Sequence, residues 1–329
     1  MVYGHQADKA VLLRAAECGT EGSCKTSLNE LHKTARILIT VTLLSCSLAS
    51  FAGQPGDPRL LKNAADLTLQ AQVENIVRGQ GLWRNVQSGE LALMLVITTN
   101  PDHPRVAELN GHQMMYAASL PKIAILFGAA VALDRGQLKM TDTLHDDMVS
   151  MIRYSCNDCA TRVLELVGRE ELIELLQSPE YDFYDAAGEG GLWVGKNYDP
   201  SPAYHRDPLH NLSHGATAFQ VARFYYRLQT GTLVSPEIAD LMVEALSEPG
   251  IRHKFVKGLQ RIAGLTILRK SGTWENFHSD SALVRSGDNT YIIVGLANNP
   301  QGDQWLTRLA EPLNNLVRDY SRRLRLAQN

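Results

Sequence analysis

The sequence predicts an α/β (α+β) fold: an antiparallel five-stranded sheet flanked by N- and C-terminal helices, with an all-helical subdomain inserted after the second strand. Three observations predict it. The expected elements run helix, two strands, a helical block, three strands, helix. Turn chemistry sits at strand ends, in Asn110-Gly111 and Ser286-Gly287-Asp288-Asn289. The composition is that of a globular chain with ample length for a large core: 329 residues, 44% hydrophobic and 20% charged, net charge -3.

The first residues stand apart from this plan. Leu31-His32-Lys33-Thr34-Ala35-Arg36 is a short basic segment, Ile37 to Leu48 is apolar, and Ser50-Phe51-Ala52 offers a small-x-small cleavage site. The expectation is an upstream mis-start extension over 1–30, a signal peptide over 31–52 and a single domain over 53–329, whose helical subdomain spans about 119–260. Such a chain is periplasmic or secreted. An alternative is a lipoprotein anchored at Cys46, since Leu43-Leu44-Ser45-Cys46 resembles a lipobox. After the leader no stretch reaches the ~18 apolar residues of a spanning helix, and the near-neutral charge balance points to neither nucleic acid nor a membrane surface as partner.

Within the domain, Arg59 to Arg78 carries Leu60, Leu61, Ala64, Leu67, Ala71, Val73 and Ile76 at helical spacing. Leu91 to Thr98 is a dense apolar run ending in Thr-Thr-Asn-Pro, a buried strand and a turn; Val106 to Leu109 is its hairpin partner. Ile123, Ala124, Leu126, Phe127, Ala130 and Leu133 make a buried helix ending near Arg135-Gly136. Met140 to Asp147 is polar and is expected as loop. Cys159 to Leu176 is a further helix. Ser178 to Asn211 is long and irregular, rich in Gly, Asp, Pro and aromatics, and loops of that length are mostly functional. Helices follow over His214–Thr230 and Pro236–Leu246, then strands over Leu265–Lys270, Ser281–Arg285 and Tyr291–Ala297, and a closing helix over Gln304–Leu326.

Chemistry is concentrated in three places. Ser119 and Lys122, with Pro121 between them, open the buried helix. Three residues apart, they share a face, and burial together with the helix dipole favours a neutral, basic lysine that activates the serine. Tyr154-Ser155-Cys156-Asn157 offers a hydroxyl for proton relay and an amide. Lys270-Ser271-Gly272-Thr273, at a strand end, offers a cation for a carboxylate, a glycine that permits close backbone approach and an N–H for a developing oxyanion. Trp274 follows directly and is placed beside the pocket.

Together and in this order, Ser-x-x-Lys, Ser-x-Asn and Lys-Ser-Gly-Thr resemble the penicillin-recognising serine hydrolases, the class A β-lactamases and the penicillin-binding DD-peptidases. The resemblance covers roughly residues 59–329. Ala132-Leu133-Asp134-Arg135-Gly136-Gln137-Leu138 and Leu228-Gln229-Thr230-Gly231 are similar to two helix ends of the family. It implies a β-lactamase/transpeptidase-like fold and an exported hydrolase whose Ser119 is acylated by a β-lactam or related amide and then released by water. Lys122 is then general base or relay, Ser155 the donor to the departing nitrogen, Asn157 the holder of the substrate amide. Lys270, Ser271, Gly272 and Thr273 receive the carboxylate and oxyanion. The implied substrates are small molecules, a β-lactam or a peptidoglycan-like peptide. A slowly deacylating penicillin-binding protein and a non-catalytic ligand-binding relative are the alternatives.

The chain departs from the family in three ways. Cys156 replaces an aspartate. Ser119 and Ser155 lie 36 residues apart, closer than in ordinary class A enzymes. Asp207-Pro208-Leu209-His210-Asn211 stands where the family carries Glu-Pro-x-x-Asn. The resemblance therefore implies Asp207 as the deacylating acid with Asn211 beside it, although an aspartate reaches about 1.5 Å less far and such displacements are worth ~100-fold. Asp185, Glu189 and Asp199 are further acids in the same segment. Trp193, Tyr198 and Tyr204 are expected as loop core. No metal or cofactor is expected: His205, His210 and His214 lack ligand spacing. Cys156 and Cys159 can be oxidised to a disulfide in an exported chain, and a redox-active or metal-binding pair lacks supporting context.

Overall fold

The computed structural model describes residues 59–328. The expectations for 1–30 and 31–52, including the Cys46 alternative, lie outside the described residues.

The helix expected over Arg59–Arg78 is two helices, α1 (Arg59–Lys62) and α2 (Leu67–Gly79). Asp66 divides them: its carboxylate accepts the N–H groups of Thr68 and Leu69 and caps α2. After α3 (Trp83–Gln87) come β1 (Leu91–Ile97), β2 (Arg105–Leu109) and β3 (Met115–Tyr116). The helical block follows as α4 (Lys122–Asp134), α5 (Asp142–Arg153), α6 (Asn157–Val167) and α7 (Arg169–Gln177). α5 occupies the stretch expected as loop. Thr141 caps it by accepting the Leu144 N–H, and Leu144, Met148, Met151 and Ile152 share a buried face. α6 and α7 divide the next expected helix at Gly168, whose φ of 91° an L side chain would oppose.

The segment expected to be irregular is tied down by short strands: β4 (Tyr184–Asp185), β5 (Gly190–Gly191) and β6 (Trp193–Val194). β7 (His214–Ala216) pairs with both β3 and β6. The helix expected from His214 therefore begins only at α8 (Ala218–Gln229), capped by Thr217. α9 (Pro236–Leu246) and a short α10 (Phe255–Leu259) precede β8 (Leu265–Trp274), β9 (Phe277–Ser286) and β10 (Asn289–Asn298), and α11 (Gly302–Gln328) closes the chain.

The main sheet runs β2-β1-β10-β9-β8, with antiparallel neighbours throughout. Every residue of β1 is buried, because both faces are covered. Ala92, Met94 and Val96 face α8 and belong to the core cluster that extends into the helical block; Leu91, Leu93, Leu95 and Ile97 belong to the cluster formed with α2 and with Trp305, Leu309 and Leu313 of α11. This sandwich leaves β8 as an edge strand with its motif end free. Among the described residues, no helix is long and apolar enough to cross a membrane.

Candidate active site

Ser119 lies in the turn that feeds α4, and its carbonyl accepts the N–H of Lys122 at 3.3 Å. The turn is pinned from both sides. The Ala117 N–H donates to His214 O at 3.0 Å, and the Ser279 hydroxyl donates to Ala117 O at 2.7 Å. Ala118 adopts a φ of 52°, in the left-handed region, immediately before the serine. Gly272 of β8 faces this turn so closely that a Cβ would stand 2.3 Å from Ala117 O and 2.6 Å from the Ser119 nitrogen. Only glycine permits the approach that brings the Lys270–Thr273 strand end against the serine.

Lys122 is fully buried at the first position of α4. Its amine donates to Ser155 O (2.7 Å), Asn157 Oδ1 (2.7 Å) and Cys156 O (3.3 Å), and lies 3.5 Å from Ser155 Oγ. The Tyr198 ring lies beneath it, 4.4 Å to the centroid. Among the described residues no carboxylate pairs with this amine. Burial therefore acts unopposed and lowers its pKa to about 7. Lys270, also buried, donates to Ser155 Oγ at 3.0 Å and to Ser271 O at 2.6 Å. Burial first, then the neighbouring cations Lys122, Arg269 and Lys254, hold it well below the ordinary lysine value. The Ser155 hydroxyl thus stands between two amines that resist sharing two charges. Ser155 itself is held at a φ of 59°.

Behind β8 is a residue that sequence reasoning missed. Lys254 is buried, and its amine donates to Gly272 O (2.6 Å), Thr273 Oγ1 (2.8 Å) and Ser279 O (3.0 Å). Burial lowers its pKa to about 8. The adjoining Arg269–Asp280 pair is buried at 2.7 Å, and Asp280 also accepts the Phe255 N–H. These cations outnumber the one acid and leave the floor of the site positive. Nothing local in the sequence around Lys254 signals this, since its partners lie in β8 and β9.

The front of the site is a cavity of about 810 Å³, bounded by Ser119, Asn157, Tyr198, Thr273, Trp274 and Phe277 among others. Of the expected residues, Ser119, Asn157, Thr273 and Trp274 line it; Lys122 and Lys270 do not, and they meet at the Ser155 hydroxyl, with Ser271 O accepting from Lys270. Tyr198 belongs to the wall rather than to loop core, donating its hydroxyl to Ala118 O at 3.2 Å. Trp193 and Tyr204 are loop core, bonded to His205 O and Val194 O. His214 packs on Tyr198 with centroids 4.3 Å apart, and its Nε2 lies 3.0 Å from Lys196 O. Burial lowers its pKa to about 4, so it is neutral. The three histidines have separate partners: His205 faces Glu170 and His210 faces Asp207.

Asp207 is not brought to the cavity. Its carboxylate, without solvent exposure, accepts N–H groups from His210 (2.8 Å), Leu209 (3.1 Å) and Leu212 (3.3 Å) and the hydroxyl of buried Tyr184. Asn211, at a φ of 57°, closes the same turn through its N–H to Asp207 O. Spacing made this stretch resemble a catalytic loop; the hydrogen bonds make it a loop clasp. Of the other acids, Asp199 lines the cavity but accepts from Ser201 N (2.8 Å) and Asn197 Nδ2 (3.2 Å). Asp185 caps the turn at Ala187, and Glu189 pairs with His112.

Asp207→Asn is accordingly expected to destabilise the protein by about 3 kcal/mol, because amide hydrogens would face backbone N–H donors in a dry pocket. Thermal denaturation reads this as a fall of several degrees. Burial alone would raise the Asp207 pKa, but the Tyr184 hydroxyl and the three N–H groups outweigh it, and the net value is lowered. Its stabilisation is thus fully present above the unfolded aspartate value of about 4 and is lost as pH falls through the lower folded value. The variant should lack that part of the wild-type acid sensitivity.

A model of the beta-lactamase enzyme family matches residues 143–323. The matched stretch contains Ser155, Asn157 and Lys270–Thr273; Ser119 and Lys122 precede it and are joined to it by the contacts above. No curated protein matches the sequence. Among solved structures, PBP-A superposes with a TM-score of 0.56 at 17% identity, over 76% of this chain and 95% of that one. A variant of it in an acyl-enzyme complex with penicillin G gives 0.57 at 18%, over 76% and 96%. A β-lactamase from Sphaerobacter thermophilus gives 0.58 at 16%, over 74% and 95%.

Proposed function

The chain belongs to the beta-lactamase enzyme family, and from that premise we propose that Ser119 opens a β-lactam, or a related activated amide, to form an acyl-enzyme that hydrolyses slowly. The observation that carries the reading is Lys122: a dry amine with a pKa near 7, three residues after a serine that lines the cavity, fastened to the Ser155–Asn157 segment.

The neutral amine accepts the Ser119 proton as Oγ attacks the carbonyl carbon. The C–N bond breaks with its electron pair on nitrogen, and the proton reaches that nitrogen through Ser155. Asn157 gives its carbonyl oxygen to Lys122, which leaves its NH₂ to a substrate amide. The N–H groups of Ser119 and Thr273 take the oxyanion, and the positive floor at Lys270 draws the substrate carboxylate.

Hydrolysis needs a second base to activate water, a role that glutamate fills in class A enzymes. Here Asp207 is consumed by its own turn, Asp199 is bonded to Ser201 and Asn197, and Tyr198 covers the outer face of the Lys122 amine. Burial also holds the Tyr198 hydroxyl neutral. These contacts favour the penicillin-binding type over efficient turnover. The peptidoglycan-peptide class of substrate fits the exported location expected from residues 31–52.

Purified protein mixed with fluorescent penicillin is expected to take one label per chain and keep it for many minutes. Nitrocefin should be turned over far below the ~1 s⁻¹ at the low end of ordinary enzymes. Turnover above that rate overturns slow release; absence of any label overturns acylation.

A further inference from the structure

Cys156, which stands within the Ser155–Asn157 segment, is joined to Cys159 by a disulfide. All four oxygen contacts of the Lys122 amine come from residues 155, 156 and 157. That tripeptide leaves α5 through Ser155 at a positive φ and enters α6 with Cys156 as N-cap, its sulfur accepting the Cys159 N–H at 3.1 Å. Cys159 is buried, and Arg162, whose guanidinium lies 3.6 Å from its sulfur, is paired to Asp147 of α5. The tripeptide that encloses the amine is therefore covalently anchored to the helix core at its centre.

We propose that the Cys156–Cys159 disulfide is a positioning element of the acylation site, and that a dithiol reductant turns acylation down by opening it. The proposal rests on the acylation reading above. In the step, the dithiol gives two electrons and two protons to the S–S bond. It becomes a disulfide, and Cys156 and Cys159 become thiols. With the anchor gone, the strained Ser155 relaxes, water reaches the Lys122 socket and the amine regains its proton. Burial is what depresses that amine, so its pKa rises when the socket opens. The charged or titratable groups that face the amine are Lys270 from β8, His214 from β7 and Tyr198 from the loop; beside the disulfide stands Arg162 of α6, which is paired to Asp147 of α5 and acted on by Asp158.

The test compares oxidised, dithiothreitol-reduced and reoxidised protein, with reduction of Cys156 and Cys159 verified by alkylation and peptide mass. Reduction is expected to lower the rate of fluorescent-penicillin labelling at pH 7 roughly fivefold and to move the midpoint of its pH profile up by about one unit, with recovery on reoxidation. A plain loss of stability would lower the rate without moving the midpoint. A Cys156→Ser/Cys159→Ser variant should behave like the reduced protein and ignore dithiothreitol. An unchanged rate and midpoint on full reduction overturn the proposal, as does a variant that behaves like the oxidised protein. NMR titration of the Lys122 side-chain carbon beside the amine reads the same shift without any substrate. If nothing is labelled in either state, the acylation reading fails while this titration still decides whether the disulfide controls the lysine.

Discussion

Ser119→Ala is expected to take up no penicillin label, with uptake at least ~10³-fold below wild type, while its melting temperature stays within a few degrees. In the proposed function the serine hydroxyl, carried by the turn before α4, is the nucleophilic oxygen, and that turn is fixed without it. Ala117 is held by His214 and Ser279, and the strand end at Gly272 approaches backbone rather than the serine side chain. Removing one half-buried hydroxyl is therefore expected to delete the proposed chemistry and leave the scaffold. The check is gel fluorescence of labelled protein beside a thermal melt. Retained labelling would move the nucleophile elsewhere, and Ser155, bonded to both lysines, would be the first alternative.

Lys122→Met is expected to lower the acylation rate by roughly 10³-fold, within the range that general-base removal produces. Methionine keeps the length and the apolar stem and removes the amine. The pH dependence sharpens the prediction. A base works in its neutral form, and this amine has a pKa of about 7, so the wild-type rate should climb with pH through that value and level off above it. The variant should lose this limb and respond little to pH between 6 and 8. Three oxygens, on Ser155, Cys156 and Asn157, lose their donor, so a moderate fall in melting temperature accompanies the change. A variant that labels at the wild-type rate would show that the serine is activated by another group, and Lys270, 3.0 Å from Ser155 Oγ, is the remaining amine beside it.

Much of the architecture was legible because it rests on local pattern. The continuous apolar runs at Leu91–Ile97 and Tyr291–Ala297 read as strands covered on both faces, and that is how β1 and β10 pack. The motifs at Ser119, Ser155 and Lys270 were legible as residue types in order, and the fold joins all three around the Ser155 hydroxyl. What escaped depends on contacts that spacing does not carry. α5 hid because acidic residues on its outer face masked a short apolar stripe that begins only at Leu144. Gly168 broke an otherwise periodic run into α6 and α7. Asp207 kept the spacing of a catalytic acid, but the direction of its carboxylate is set by Tyr184, 23 residues away. Lys254 had no motif at all, since its role arises only when β8 and β9 pair in front of it.

The most direct measurement is the intact mass of the protein after exposure to penicillin G, followed by peptide mapping. Opening a lactam adds the whole antibiotic without a leaving fragment. One adduct of that mass per chain is expected, carried by the peptide that contains Ser119 and surviving for many minutes. An adduct on any other residue, or an unmodified chain in the presence of intact antibiotic, would contradict the account.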